Sequence, residues 1–206
     1  MKKFLLGLAI LVVYGSAGAQ SFNQQEVKQT IGIAASRIKT MKCDFVQTKH
    51  VKLLNDKVVS KGKMCFQQTD KLRWEYTEPY SYAFILNGSK VLLKNNRRND
   101  VIDVNRNKLF KEIARIMMSS VAGNCLTDTK SFKTSIADSP TEWIATLIPQ
   151  RKELKQMFQK ILIHFNKQKA TVAKVELIEK NGDNTLIELK NTETNATIAP
   201  NTFNIN

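Results

Sequence analysis

Histidine is nearly missing from this chain, with His50 and His164 the whole supply of imidazole in 206 residues. Neither sits at zinc-like spacing with a cysteine, so no metal site is expected. Cysteine is scarce and odd in number, with Cys43, Cys65 and Cys125 allowing one internal bridge at most. No phosphate-binding glycine loop, G-x-S-x-G elbow or zinc signature is present. Glu75 and Glu78 come nearest to a carboxylate pair, but strand alternation and the following Pro79 make them solvated strand charges. Bond-making chemistry and cofactors are therefore not expected, and a binding protein is. No Gly/Ser-rich linker and no repeat of solenoid length divides the sequence. Beyond the N-terminus no stretch approaches the roughly 18 apolar residues in a row that suggest a membrane span.

The N-terminus is the exception. Lys2 and Lys3 precede an apolar run from Phe4 to Tyr14 and the small residues Ser16, Ala17, Gly18 and Ala19. This is the pattern of a secretory signal peptide over residues 1–19, cleaved after Ala19, which leaves residues 20–206 as a single domain. Acidic residues are also in short supply: 18 face 32 lysines and arginines, for a formal charge of +14. The excess has two readings, solubility or attraction to acidic partners and anionic membrane surfaces. An exported protein whose basic residues form no compact arm is not expected to bind nucleic acid.

From Ser21 to Thr40, Val27, Ile31, Ile33, Ala34, Ala35 and Ile38 recur at near-helical spacing, predicting an amphipathic helix. "CDFVQTKHVKLL" and "KVVSKGKMCFQQ", separated by Asn55-Asp56, predict a β-hairpin. Leu72, Trp74 and Tyr76 alternate with Lys71, Arg73 and Glu75, predicting a strand with one dry face. Tyr82–Leu86 and "KVLLKN", joined at Asn87-Gly88, predict a second hairpin. Leu109, Phe110, Ile113, Ile116, Met117 and Val121 then repeat at three and four, predicting an inserted helix. Strands follow as "EWIATLIP", "KILIHF", "VAKVELIEK" and "TLIELKN", while "RKELKQMFQK" admits either helical turns or a strand entry. Cys43 and Cys65 flank the first hairpin turn; they are cross-strand bridge partners in one register and point to opposite faces in the next. Periodicity predicts an antiparallel β domain with two helices, and leaves open whether the space behind the apolar strand face is solid or hollow.

"GKMCFQQTDKLRWEYTEPYSYAFILNGSKVLL", residues 62–93, resembles the signature of the periplasmic outer-membrane lipoprotein carriers, the LolA-like family. Its parts are Gly62, Leu72 with Trp74, Pro79, Phe84–Leu86, Asn87-Gly88 and Val91–Leu93. Upstream, Phe45 and Gln47 are similar to the family's F-x-Q strand, and the closing "PNTFNI" resembles its ending. The resemblance implies an incomplete antiparallel β-barrel, a half-barrel of roughly ten strands, covered by an N-terminal helix and an inserted helix. It further implies a hydrophobic cavity for acyl chains of lipoproteins, passed in the periplasm from an inner-membrane release complex to an outer-membrane acceptor by a monomer.

By matched positions, Phe45, Met64, Phe66, Leu72, Trp74, Tyr76, Phe84 and Leu92 are expected to line the interior, with Ile113, Ile116 and Met117 on the covering helix. The family's arginine-proline pair, whose arginine is thought to hold the lid, is replaced by Gln68-Thr69, making Gln68 and Arg73 the gating candidates. Two other readings keep the half-barrel. One changes the cargo to another acylated lipid, and the other makes it an envelope sensor or interaction domain.

Overall fold

The structure, a computed structural model, describes residues 22–106, 115–116, 118–119 and 124–205. The expected signal peptide and the covering-helix residues Ile113 and Met117 lie outside the described residues. Asn23 opens the first helix, α1 (Gln24–Ser36), its side-chain oxygen accepting from the N–H groups of Gln25 and Glu26 at 2.9 and 3.4 Å. This caps donors that have no partner within the helix. The helix is shorter than its periodicity suggested, because Thr40 already belongs to a strand.

Among the described residues eleven strands follow: β1 (Thr40–Val51), β2 (Asp56–Gln67), β3 (Lys71–Glu78), β4 (Tyr82–Asn87), β5 (Lys90–Asn95), β6 (Asn99–Asp103), β7 (Phe132–Asp138), β8 (Glu142–Pro149), β9 (Phe158–Asn166), β10 (Thr171–Glu179) and β11 (Asn184–Thr194). They form one antiparallel sheet in the order β6-β5-β4-β3-β2-β1-β11-β10-β9-β8-β7. Every pairing is a sequential hairpin except β1 with β11, which joins the two halves by setting Phe45 opposite Leu189. The sheet ends in β6 and β7 rather than closing, so this is an open half-barrel with helices against it. "RKELKQMFQK" resolves into both of its readings, a short helix α2 (Lys152–Met157) running directly into β9.

Packing divides the concave side into two cores. One gathers Val27 and Ile31 of α1 against Phe132, Ile136, Leu147, Ile161 and Ile163 of the β7–β9 half. The other gathers Met41, Cys43, Phe45, Met64, Phe66, Leu72 and Phe84 of the β1–β4 half. Gly62, opposite Phe45, lets the aromatic ring lie flat on the sheet; an added Cβ would come within 2.5 Å of the ring and 2.0 Å of the Glu75 carbonyl oxygen. Trp74 stacks on Phe45 with ring centres 4.2 Å apart, and Tyr76 meets it edge-on at 5.2 Å.

A third, smaller cluster lies on the convex face, where the C-terminal turn Pro200–Phe203 sets Phe203 against Ala83, Ile85 and Leu92. Leu92 is thus corrected from an interior to an exterior position. It pairs with Ile85, while its neighbours Val91 and Leu93 pair with Leu86 and Phe84 on the other face. The disulfide expectation is also corrected. Register sets Cys43 opposite Met64 and Cys65 opposite Lys42, so the two thiols, both free, point to opposite faces. Burial, with help from the charges of Asp44 and Cys65, pushes the Cys43 thiol up to about 12 and keeps it protonated and inert.

Candidate binding cavity

Between the two concave cores lies a cavity of about 310 Å³. One wall comes from the first half of the sheet: Met64, Leu72, Trp74, Tyr76, Tyr82 and Phe84, with Gln47 of β1. The opposite wall comes from the second half: Phe158, Val172, Val175, Leu177, Ile187 and Leu189. Alternation accounts for both, since every second residue of a strand faces the concave side. Ile116 completes the lining from the covering segment. The lining polar groups are few: the Tyr76 hydroxyl donates to Gln47 Oε1 at 2.9 Å, and burial pushes the Tyr76 phenol up so that it stays neutral. None of the described lining residues is a charged acid, a base or an activated nucleophile. Among the described residues no cluster of histidine, cysteine and carboxylate has the makings of a metal site.

The described residues of the expected covering helix, 115–116 and 118–119, reach both cores. Ile116 packs with the α1–β7 core and Met118 with the β1–β4 core, so two neighbouring side chains bridge the trough. Arg115 ties this segment down by pairing with Asp128 and lying 6.0 Å from the Phe132 ring centre. Burial pushes the Asp128 carboxyl up, but hydrogen bonds from Ser131 and the Arg115 charge outweigh it and hold the group below its ordinary value. Neither gating candidate meets the described residues of this segment or the described cavity lining. Arg73 lies on the convex face, its Nε donating to Glu75 at 2.8 Å and its Nη1 to the Thr202 carbonyl at 3.3 Å. Gln68 is exposed in the β2–β3 turn, where its backbone N–H donates to the Lys39 carbonyl at 2.8 Å. Odd-numbered residues of β3 face away from the concavity, which is why Arg73 is on the wrong side for a lid contact.

Residues 36–206 match the family model described as outer membrane lipoprotein carrier protein LolA. The chain belongs to the LolA family. An outer-membrane lipoprotein carrier protein of Methylococcus capsulatus is 25% identical over 202 residues, covering 98% of this chain and 91% of that one. Among solved structures, an uncharacterized conserved protein from Thermus thermophilus shares the fold with a TM-score of 0.54 at 7% identity, over 87% of this chain and 91% of that one. The MucA/MucB complex of Pseudomonas aeruginosa shares it with a TM-score of 0.53 at 8% identity, over 87% of this chain and 59% of that one. LolA-family proteins are periplasmic carriers, not catalysts, and they work with lipoproteins and membrane components.

Six residues singled out from the resemblance to LolA-like carriers meet at the cavity: Met64, Leu72, Trp74, Tyr76, Phe84 and Ile116. Phe45 and Phe66 lie within the adjoining core, 1% exposed, as support for the wall rather than its surface. The sequence reading missed the whole wall from β9–β11, together with Gln47 and Tyr82. The signal was there in the alternation of Val175 with Leu177 and of Ile187 with Leu189, on segments already read as strands.

Proposed function

We propose that this chain, after loss of residues 1–19, is a periplasmic carrier whose cavity takes up acyl chains of lipoproteins at the inner membrane and gives them up at the outer membrane. The observation that carries this reading is the cavity itself, walled by apolar side chains of both sheet halves and roofed by a separate segment. Each methylene moved from water into such a site contributes about 0.8 kcal/mol. Release then calls for a partner offering an equally apolar site, which suits handover between an inner-membrane release complex and an outer-membrane acceptor.

At about 310 Å³ the space is at the lower end of ligand pockets, which run from about 300 to 1,000 Å³. A lipoprotein with several chains therefore needs the covering segment to lift, exposing the trough between the two cores. Trp74 is the lining residue with the closest family match, and its loss removes one of the largest apolar surfaces of the wall. The test is binding of a diacylated peptide, against the same peptide without acyl chains, by wild type and Trp74→Ala. The wild type is expected to bind only the acylated form, and the variant at least about tenfold more weakly, as the loss of about 1.5–3 kcal/mol of apolar burial dictates. Equal binding by both folded proteins would remove Trp74 from the site, and indifference to acylation would overturn the carrier reading. A free lipid, not a lipoprotein, found on protein purified without detergent would keep the cavity and change the cargo.

A further inference from the structure

The turns at 52–55, 79–81, 96–98 and 180–183 fall at one end of the antiparallel sheet. Farthest out is the β1–β2 hairpin. The β3 strand leaves β2 at the Lys61–Glu78 pair, so residues 56–60 of β2 run on without a neighbour on that side, roughly 16 Å at the rise of an extended strand. At the apex Leu53 is 92% exposed and Leu54 70%, the first of them the most exposed large apolar residue among those described. Val58, Val59 and, on the β3–β4 turn, Tyr80 are exposed as well.

This apex is braced. The Lys52 N–H donates to Asp183 Oδ1 at 2.9 Å, and Asn181 Nδ2 fixes the other oxygen of that carboxylate at 3.0 Å. Gly182, at φ +90°, leaves the space that the Lys52 stem fills: a Cβ there would meet Lys52 Cδ at 2.6 Å. The Leu54 N–H donates to the Val51 carbonyl at 3.2 Å, and Asn55 closes the turn at φ 49°. The fold thus spends specific contacts on holding two leucines out in water.

Charge says what they face. At this end the carboxylates of Glu78, Asp100, Glu179 and Asp183 are engaged by Lys61, Arg98 and Lys49, which leaves Asp56 and, on α2, Glu153 outside the ion pairs of the described residues. The Asp56 carboxylate accepts from the Lys57 N–H at 2.7 Å. Lys52, Lys57, Arg97 and Lys180 are exposed and form no ion pair among the described residues. Apolar side chains exposed at the same end of the sheet as unpaired cations match an anionic bilayer surface: leucines enter the headgroup boundary while lysines and arginines remain at the phosphates.

We infer that the β1–β2 apex is a membrane-docking tip, in which Leu53 and Leu54 insert into an anionic bilayer and Lys52, Lys57, Arg97 and Lys180 hold the lipid phosphates. The contact is independent of what the cavity carries. It places one end of the half-barrel on the membrane, and Tyr76, Tyr82 and Phe158 of the cavity wall are at the ends of their strands nearest it.

The experiment is flotation of the cargo-free mature protein with vesicles of phosphatidylethanolamine and phosphatidylglycerol, or of phosphatidylcholine alone. Wild type is expected to bind the anionic vesicles at least about tenfold more tightly than the neutral ones, and the difference should shrink as salt screens the cations. Leu53→Asp with Leu54→Asp should weaken that binding about tenfold or more, since two inserted apolar side chains are lost. In a second measurement, the indole introduced by Leu54→Trp should be quenched by lipids brominated in their acyl chains beyond the quenching of wild type. Wild type that ignores anionic vesicles, an aspartate variant that binds as wild type does, or a Leu54→Trp variant quenched no more than wild type would each overturn the inference. Binding of the tip to a membrane protein in the absence of lipid contact would do the same.

Discussion

Gly62 shows how little room the concave floor allows. A methyl group at this position would collide with the Glu75 carbonyl oxygen, which is backbone and cannot swing aside, and with the Phe45 ring that supports Trp74. Gly62→Ala is therefore expected to cost about 1–3 kcal/mol or more. The check is denaturant unfolding, with a lower midpoint at an unchanged slope; a midpoint equal to wild type would mean that Phe45 does not lie on the glycine. At this scale legibility was uneven for a physical reason. Leu72, Trp74 and Tyr76 alternate with charges, so their face could be assigned from the sequence. Val91, Leu92 and Leu93 are three apolar residues in a row, so only the pairing with β4 and the cover supplied by Phe203 tell Leu92 from its neighbours. Cys43 and Cys65 depended on register, which the four residues 52–55 between β1 and β2 determine.

Elements were easier to read than their partners. Strong alternation, the Asn87-Gly88 turn and the spacing of Val27, Ile31 and Ala35 marked most strands and α1. The edge strands β6 and β7 were missed: β6 is five residues long with three polar positions, and β7 buries only Phe132 and Ile136 among polar neighbours. The covering segment was expected from its helical period, but what holds it was sought at Gln68 and Arg73, because sequence nearness to the glycine-led strand gives no information about side. In the structure Arg115, one of the described residues of that segment, pairs with Asp128. Arg115→Met removes a half-buried ion pair worth about 0.2–1 kcal/mol while leaving an apolar stem over Phe132. Exchange of a bound acyl ligand should accelerate by roughly two- to fivefold with the melting temperature little changed. An exchange rate equal to wild type would show that this pair does not restrain the cover.

At the scale of the molecule, ion pairs on the outer face run within β3, between Arg73 and Glu75, and across β8, β9 and β10, where Glu142 meets His164 and Lys174, and their chemistry sets a pH limit. A hydrogen bond from Arg73 holds the Glu75 carboxyl below its ordinary 4.5, against the opposing effect of burial. A hydrogen bond from His164, with Lys174 adding to it, does the same for Glu142. These carboxylates take up protons less readily folded than unfolded, so the stability they contribute is complete above the ordinary carboxylate range and is lost as pH falls through the lowered values. Melting temperature is expected to change little between pH 7 and about pH 5 and to fall below about pH 4.5; a flat profile down to pH 3 would contradict the role given to these pairs. The feature least visible in the sequence also belongs to this scale. Pairing of β1 with β11 brings Phe45 to Leu189 across most of the chain, and it is this long-range closure that sets one wall of the cavity against the other.

Occupancy of the space between those walls by acyl chains can be read out by photo-crosslinking. Protein lacking residues 1–19 would be loaded with a peptide whose acyl chain carries a diazirine, irradiated, digested and mapped by mass spectrometry. Adducts are expected on both walls, at residues such as Met64 and Phe84 from one half of the sheet and Val175 and Leu177 from the other. Adducts confined to the convex face around Ile85, Leu92 and Phe203, or to the Leu53-Leu54 apex with the cavity walls unmarked, would contradict that occupancy.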